Sequence, residues 1–94
     1  MIPFLVADYA YGRNQGEDDL MCVLVIRIYP YGYYWSCVVD KTGILDEQVV
    51  ARVAQLIQRL GLVQLAYRPD REASLTAMME EACRLSGRNV LPHH

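Results

Sequence analysis

The chain has 94 residues, of which 53% are hydrophobic, and it carries nine lysines and arginines against eleven aspartates and glutamates. This length predicts a single domain with a modest core, and the hydrophobic fraction excludes a disordered chain or a linker. Because the charge is nearly balanced, the chain lacks a strong field for phosphates. We therefore expect no tight nonspecific binding of nucleic acid by this chain alone.

The three cysteines, Cys22, Cys37 and Cys83, form no C-x-x-C pair and have no histidine nearby. This pattern argues against a disulfide framework or a zinc site and favours reduced core thiols in an intracellular protein, with nucleus or cytoplasm left open. The longest apolar run, Met21 to Ile26, is too short to cross a bilayer, so no membrane association is expected.

The first half of the chain predicts three strands joined by short connections. The strands are Phe4–Tyr9, Met21–Ile28 and Tyr33–Asp40, which are rich in valine, isoleucine and aromatic residues. A polar loop from Gly12 to Asp19 and a turn at Tyr29–Gly32 connect them. Short connections make consecutive strands antiparallel neighbours, so the three strands should form a meander.

The second half of the chain predicts two helices separated by a strand. The first helix begins at Asp46 and ends before Gly61, the strand spans Leu62–Tyr67, and the second helix runs from about Arg71 to Leu85. The apolar stripe of the first helix is Val49, Val50, Val53, Leu56, Ile57 and Leu60. The stripe of the second helix is Leu75, Met78, Met79, Ala82 and Leu85.

These elements define an α/β (α+β) fold in the order β-β-β-α-β-α. The first helix is a crossover, so the strand at Leu62 should return parallel to a strand already in the sheet. We expect three antiparallel strands plus one parallel strand, with the strand of Asp8 between the Met21 and Leu62 strands. Both helices should pack on the sheet.

Two acids follow strands that are expected to be parallel neighbours. Asp8 lies at the end of the first apolar run, and Asp70 lies just past the fourth strand. Both carboxylates should therefore emerge at the carboxyl edge of the sheet, where open sheets commonly bind their ligands. Paired carboxylates favour Mg²⁺ or Mn²⁺, and such ions can activate a water for attack on a phosphodiester.

Structural interpretations of the same acids stay open. Asp70 suits the N-cap of the second helix, Asp8 suits a hydrogen bond to a loop amide, and Glu72 suits the first helical turn. Glu17–Asp19 is either a metal-binding cluster or, more simply, a solvated loop. The seven tyrosines and Trp35 can stack on bases, but their crowding at the hairpin is typical of cross-strand pairs.

Several segments together resemble the integrase catalytic core of retrotransposons and retroviruses, which has a ribonuclease H-like fold. They are the Asp-Tyr pair at the end of strand one, the hairpin VLVIRIYPYGYYWSCVV, the glycine-bounded helix and LGLVQLAYRPDREASL. The resemblance covers about residues 6–87 of the domain spanning 1–94. It implies that Asp8 and Asp70 are the first two metal-binding and catalytic carboxylates. It also implies Mg²⁺-dependent DNA integration, with DNA as the partner of the intact protein of a transposable element.

The chain departs from that family in two respects. Arg71-Glu72 follows Asp70 where many members carry Asn-Gly, and the third acid, a glutamate on a later helix, has no counterpart in the 24 residues after Asp70. Glu80 and Glu81 lie on the wrong helix, and the fifth strand and the active-site helix are also expected to be missing. We therefore expect the front part of an integrase core, which binds Mg²⁺ or Mn²⁺ weakly and is inactive alone. Whether the chain is an enzyme stays open.

The alternative is a small non-catalytic α+β interaction domain that dimerises through its sheet. Under this interpretation Asp8 and Asp70 are structural, and the tyrosine-rich hairpin forms the interface. A homodimer is left open under either interpretation.

Overall fold

A computed structural model describes residues 2–13, 20–40 and 46–92 of the chain. The elements are β1 (Phe4–Arg13), β2 (Leu20–Tyr29), β3 (Tyr33–Val39), α1 (Glu47–Arg59), β4 (Gln64–Tyr67), α2 (Ala73–Ser86) and β5 (Asn89–Pro92). The predicted α+β class and the order β-β-β-α-β-α are confirmed. A fifth strand follows α2, however, so the expectation that this strand is missing is wrong.

The five strands form one mixed sheet in the order β3-β2-β1-β4-β5. β1 pairs antiparallel with β2 over ten residues, from Phe4 opposite Tyr29 to Arg13 opposite Leu20, and β3 pairs antiparallel with β2. β4 runs parallel to β1, and β5 runs parallel to β4. The strand of Asp8 therefore lies between β2 and β4, as the crossover argument predicts.

β1 extends further than the sequence predicts. Gly12 and Arg13, assigned to the loop, belong to the strand because they pair with Met21 and Leu20 of β2. The remaining part of the predicted loop, residues 14–19, and the predicted break at residues 41–43 lie outside the described residues, as do His93 and His94.

α1 begins and packs as its sequence predicts. Asp46 is the N-cap, and its Oδ1 accepts a hydrogen bond of 2.8 Å from the Gln48 amide, which satisfies one free donor of the first turn. The predicted stripe faces the sheet and the second helix: Val50, Val53, Leu56 and Ile57 are buried, and Val49 and Leu60 pack against them in part.

α2 buries most of its predicted stripe, but Leu85 is the exception. Leu75, Met78, Met79 and Ala82 are buried, whereas Leu85 is 45% exposed. Three turns of about 3.6 residues beyond Leu75 reach position 86, so Ser86 takes the buried place. Its hydroxyl donates to the Cys83 carbonyl at 2.6 Å, which removes the cost of burying it.

The helices cover one face of the sheet. Alternate side chains of β1 and β2 point to this face and join the helices in a single core, namely Leu5, Ala7, Leu24, Ile26 and Ile28. Cys83 lies in this core, Cys22 and Cys37 are half-buried, and none of the three forms a disulfide. No helix in the described ranges is long and apolar enough to cross a membrane.

Candidate functional site

The site lies where the parallel pairing of β1 and β4 ends. β4 stops at Tyr67, which is opposite Leu5, and the Arg68 amide donates to the Leu5 carbonyl at 2.9 Å. β1 continues beyond this point, so the chain after Arg68 passes beside the exposed stretch of β1 that contains Asp8. The sequence predicts Asp8 at the end of its strand, but Asp8 lies in the middle of β1. It is just past the point where the parallel neighbour β4 ends.

The structure brings Asp8 and Asp70 to one cavity. Both line a depression of about 430 Å³ that Val6, Arg68, Pro69 and Arg71 complete. Since a water molecule occupies about 30 Å³ in the liquid, this volume accommodates a divalent ion together with several hydration waters. Asp8 is exposed and Asp70 is half-buried, so both carboxylates are reachable from solvent.

The carboxylate of Asp70 is held on one side only. Its Oδ2 accepts a hydrogen bond of 2.9 Å from the Glu72 amide, whereas no described residue donates to Oδ1. Glu72, not Asp70, occupies the N-cap position of α2, and its side chain makes no capping hydrogen bond. The prediction that Asp70 is the N-cap is therefore wrong, and so is the prediction that Glu72 lies in the first helical turn. Asp70 still accepts a hydrogen bond from an amide just before the helix.

Thr76 fixes the backbone of Asp70. The Thr76 hydroxyl accepts from the Asp70 amide at 2.8 Å and donates to the Asp70 carbonyl at 3.0 Å. Sequence reasoning missed this residue. The available signal was a hydroxyl one turn inside the helix, because helical side chains lean toward the N-terminus and can reach the preceding loop.

The carboxylate of Asp8 makes no hydrogen bond or ion pair with any residue in the described part of the chain, so the predicted loop-amide partner is not among those residues. The adjacent Tyr9 points to the other face, where its hydroxyl lies 3.1 Å from Ser74 Oγ in the first turn of α2. This contact joins β1 to the start of α2 and so positions Asp8 relative to the loop of Asp70. It is also a pair that sequence reasoning missed.

Two arginines in the cavity lining balance the negative charge of the two aspartates. Arg68 and Arg71 line the cavity, are exposed, and form no ion pair with Asp8 or Asp70. Their guanidinium groups present planar, permanently charged donors that suit phosphate oxygens. The site therefore combines carboxylate oxygens for a cation with donors for an anion.

A third acid does not join the pair within the described residues. No group of three or more histidine, cysteine, aspartate or glutamate side chains is placed there to hold a metal ion. Glu80 accepts from the Tyr67 hydroxyl at 3.0 Å, and Glu81 pairs with Arg84, whose hydrogen bond lowers the pKa of that carboxyl. Residues 17–19, the other acidic candidates, lie outside the described residues.

Comparisons with known proteins bear on the fold. No family model and no curated protein matches the sequence. Among solved structures, the chain resembles the catalytic core domain of BIV integrase, with a TM-score of 0.55 and 18% identity over 96% of this chain and 53% of that one. It also resembles a chain of the simian T-cell lymphotropic virus intasome, with a TM-score of 0.57 and 13% identity over 97% of this chain and 34% of that one.

At these identities the likeness concerns the fold alone. The chain has the fold of part of an integrase catalytic core, and it spans about half of one of these proteins and a third of the other.

Proposed function

We propose that the chain is the front part of a retroelement integrase core of the ribonuclease H-like class, in which Asp8 and Asp70 bind Mg²⁺ or Mn²⁺ and the intact protein acts on DNA. One observation carries this proposal. The two carboxylates line the same cavity just past the point where the parallel pairing of β1 and β4 ends, in a fold that resembles integrase catalytic cores.

The chemistry of the donors fits such an ion. Asp8 offers two oxygens and Asp70 offers Oδ1, while Oδ2 of Asp70 keeps its bond to the Glu72 amide. Mg²⁺ binds through few carboxylates and retains several waters, which matches this set. When bound, divalent ions at such sites activate a water or hydroxyl and stabilise the leaving oxygen of a phosphodiester. Arg68 and Arg71 would bind the phosphate oxygens.

We expect no DNA cleavage by the chain alone. Two carboxylates hold one ion weakly, and a third ligand would have to come from outside the described residues. Without it, nothing retains a second ion or orients the nucleophile.

The test is a Mn²⁺ titration followed by water-proton relaxation or calorimetry. Wild type should bind weakly, and Asp8→Asn and Asp70→Asn should each abolish binding because each removes a charged ligand of the same size. Asp46→Asn is the matched control, since this exposed carboxylate caps α1 and is absent from the cavity lining. Binding that survives both site substitutions would refute the proposal.

A second candidate function is a non-catalytic interaction domain. The observation that favours it is the exposure of apolar side chains on the β2–β3 hairpin: Tyr31, Tyr34 and Val38 are 63%, 60% and 65% exposed. If this function is correct, Asp8→Asn and Asp70→Asn will leave both metal titration and self-association unchanged.

A further inference from the structure

The outer side of β3 forms one edge of the described sheet. β3 is the end strand of the sheet, and no strand in the described ranges pairs with its outer side. Its register with β2 is continuous from Tyr33 opposite Ile28 to Val39 opposite Cys22, so no bulge twists the edge away. Alternate residues of this seven-residue strand therefore present backbone donors and acceptors on the outer side in a regular row.

This edge lacks the features that usually prevent pairing. Natural edge strands carry charged residues, prolines or bulges that block addition of another strand. The sequence of β3, YYWSCVV, contains no charged residue and no proline. On the face away from the helices, Tyr34 and Val38 are largely exposed, so apolar side chains flank the free backbone.

We propose that β3 is a homodimerisation edge, at which the β3 strands of two copies pair antiparallel about a two-fold axis at Ser36. Ser36 is the central residue of the strand, so this register pairs all seven residues and makes the sheet continuous through both copies. The inference does not depend on metal binding by Asp8 and Asp70.

The side chains are self-complementary in this register. On the open face, Tyr34 of each copy lies opposite Val38 of the other, which is a favourable aromatic and β-branched pair. On the helix face, Trp35 lies opposite Cys37, and Tyr33 lies opposite Val39. An uncharged strand meets an identical strand without repulsion, whereas a partner with a charged strand would leave its charges unpaired at this edge. These features favour a second copy as the occupant.

A cysteine at the centre tests the register. In the proposed dimer the two Ser36 Cα atoms are about 4.5–5.5 Å apart, within the range that a disulfide spans. Ser36→Cys, in a chain with Cys22→Ala and Cys37→Ala, should therefore give a covalent dimer on mild oxidation. Val38→Cys in the same chain is the control, because its two copies would be offset by four residues, or about 13 Å. Crosslinking at position 38 but not at position 36 would overturn the register.

A charge on the edge tests the surface itself. Val38→Lys places a charge beside an uncharged strand and should convert the wild-type dimer to a monomer in sedimentation velocity. Val63→Lys is the matched control, since Val63 is 81% exposed and lies outside β3; this variant should stay dimeric. Circular dichroism should show both variants folded. A monomeric wild type at all concentrations, or a Val38→Lys variant that remains dimeric while folded, would overturn the proposal.

Discussion

The side chain of Asp70 combines a hydrogen bond with a negative charge, and substitutions can separate the two. Its Oδ2 accepts from the Glu72 amide just before α2, which is the type of bond whose removal costs about 0.5–2 kcal/mol at helix starts. We expect Asp70→Ala to lower the free energy of unfolding by about this amount, measured by urea denaturation. Asp70→Asn should lose much less, since the amide oxygen still accepts. Equal losses in both variants would show that the charge, not the hydrogen bond, stabilises the helix start.

Burial in the core strongly opposes ionisation of the Cys83 thiol. Burial raises its pKa from the ordinary value of 9.0 to about 12. The native thiol should therefore resist iodoacetamide at pH 8, because the thiolate is the reactive form. The half-buried Cys22 and Cys37 are followed in the same digest; burial also raises the pKa of Cys37, so each thiol is compared with its own rate in urea. Modification of Cys83 as fast as in urea would contradict this burial.

The same shift predicts a loss of stability at alkaline pH. The pKa of Cys83 is higher in the folded state than in the unfolded state. The contribution of the neutral thiol to the free energy of unfolding is therefore complete below pH 9.0. It declines as the pH rises toward about 12, because in this range the unfolded thiol ionises and the folded one does not. Burial and the hydrogen bond to Glu80 raise the pKa of Tyr67 in the same direction. The melting temperature of Cys83→Ala should therefore fall less steeply above pH 9 than that of wild type.

At the scale of elements, α1 stabilises the fold through its buried stripe. Leu56 is 4% exposed, and its removal leaves a cavity against the sheet and α2. We expect Leu56→Ala to lower the free energy of unfolding by about 2–5 kcal/mol. The neighbouring Gln55→Ala is the control, because Gln55 faces solvent and should change the value by less than about 0.5 kcal/mol. Similar values for the two would show that the stripe is not core.

Local patterns explain which elements the sequence predicts well. α1 has an acidic N-cap, a regular apolar period and a glycine after its last turn. Each of these signals concerns residues that are close together in the sequence. The sequence places the start of α2 too early because several acids compete for one cap, and it buries Leu85 wrongly because ten residues beyond Leu75 fall short of three full turns. The length of β1 depends on its pairing with β2, which the residues of β1 do not reveal by themselves, so its local pattern ends the strand too early.

The candidate site likewise has one part that local patterns predict and another part that they do not. The meander and crossover are sufficient to predict that Asp8 and Asp70 lie near one another. The contacts of Thr76 and of Tyr9 with Ser74 depend on how α2 is placed in three dimensions, and no spacing rule indicates them.

At the scale of the whole molecule, helices cover one face of the sheet, and one core contains side chains from the meander and both helices. A core shared in this way should unfold cooperatively. Trp35, the single tryptophan, reports on β3, whereas circular dichroism at 222 nm reports mainly on the helices. We expect the two signals to coincide in urea, with a slope near the low end of about 1–3 kcal/mol per molar. Separate transitions would show that the hairpin unfolds independently of the helices.

The two hydrogen bonds of Thr76 to Asp70 have a consequence for exchange kinetics. Because one hydroxyl links the loop to the first turn of α2, that turn cannot open without releasing the backbone of Asp70. A ligand bound to Asp70 would therefore slow local opening, by a factor that grows with its concentration over its dissociation constant. Deuterium uptake by the amides of Leu75 and Thr76, which bond to the Glu72 carbonyl, would thus report occupancy of the cavity without any measurement of catalysis.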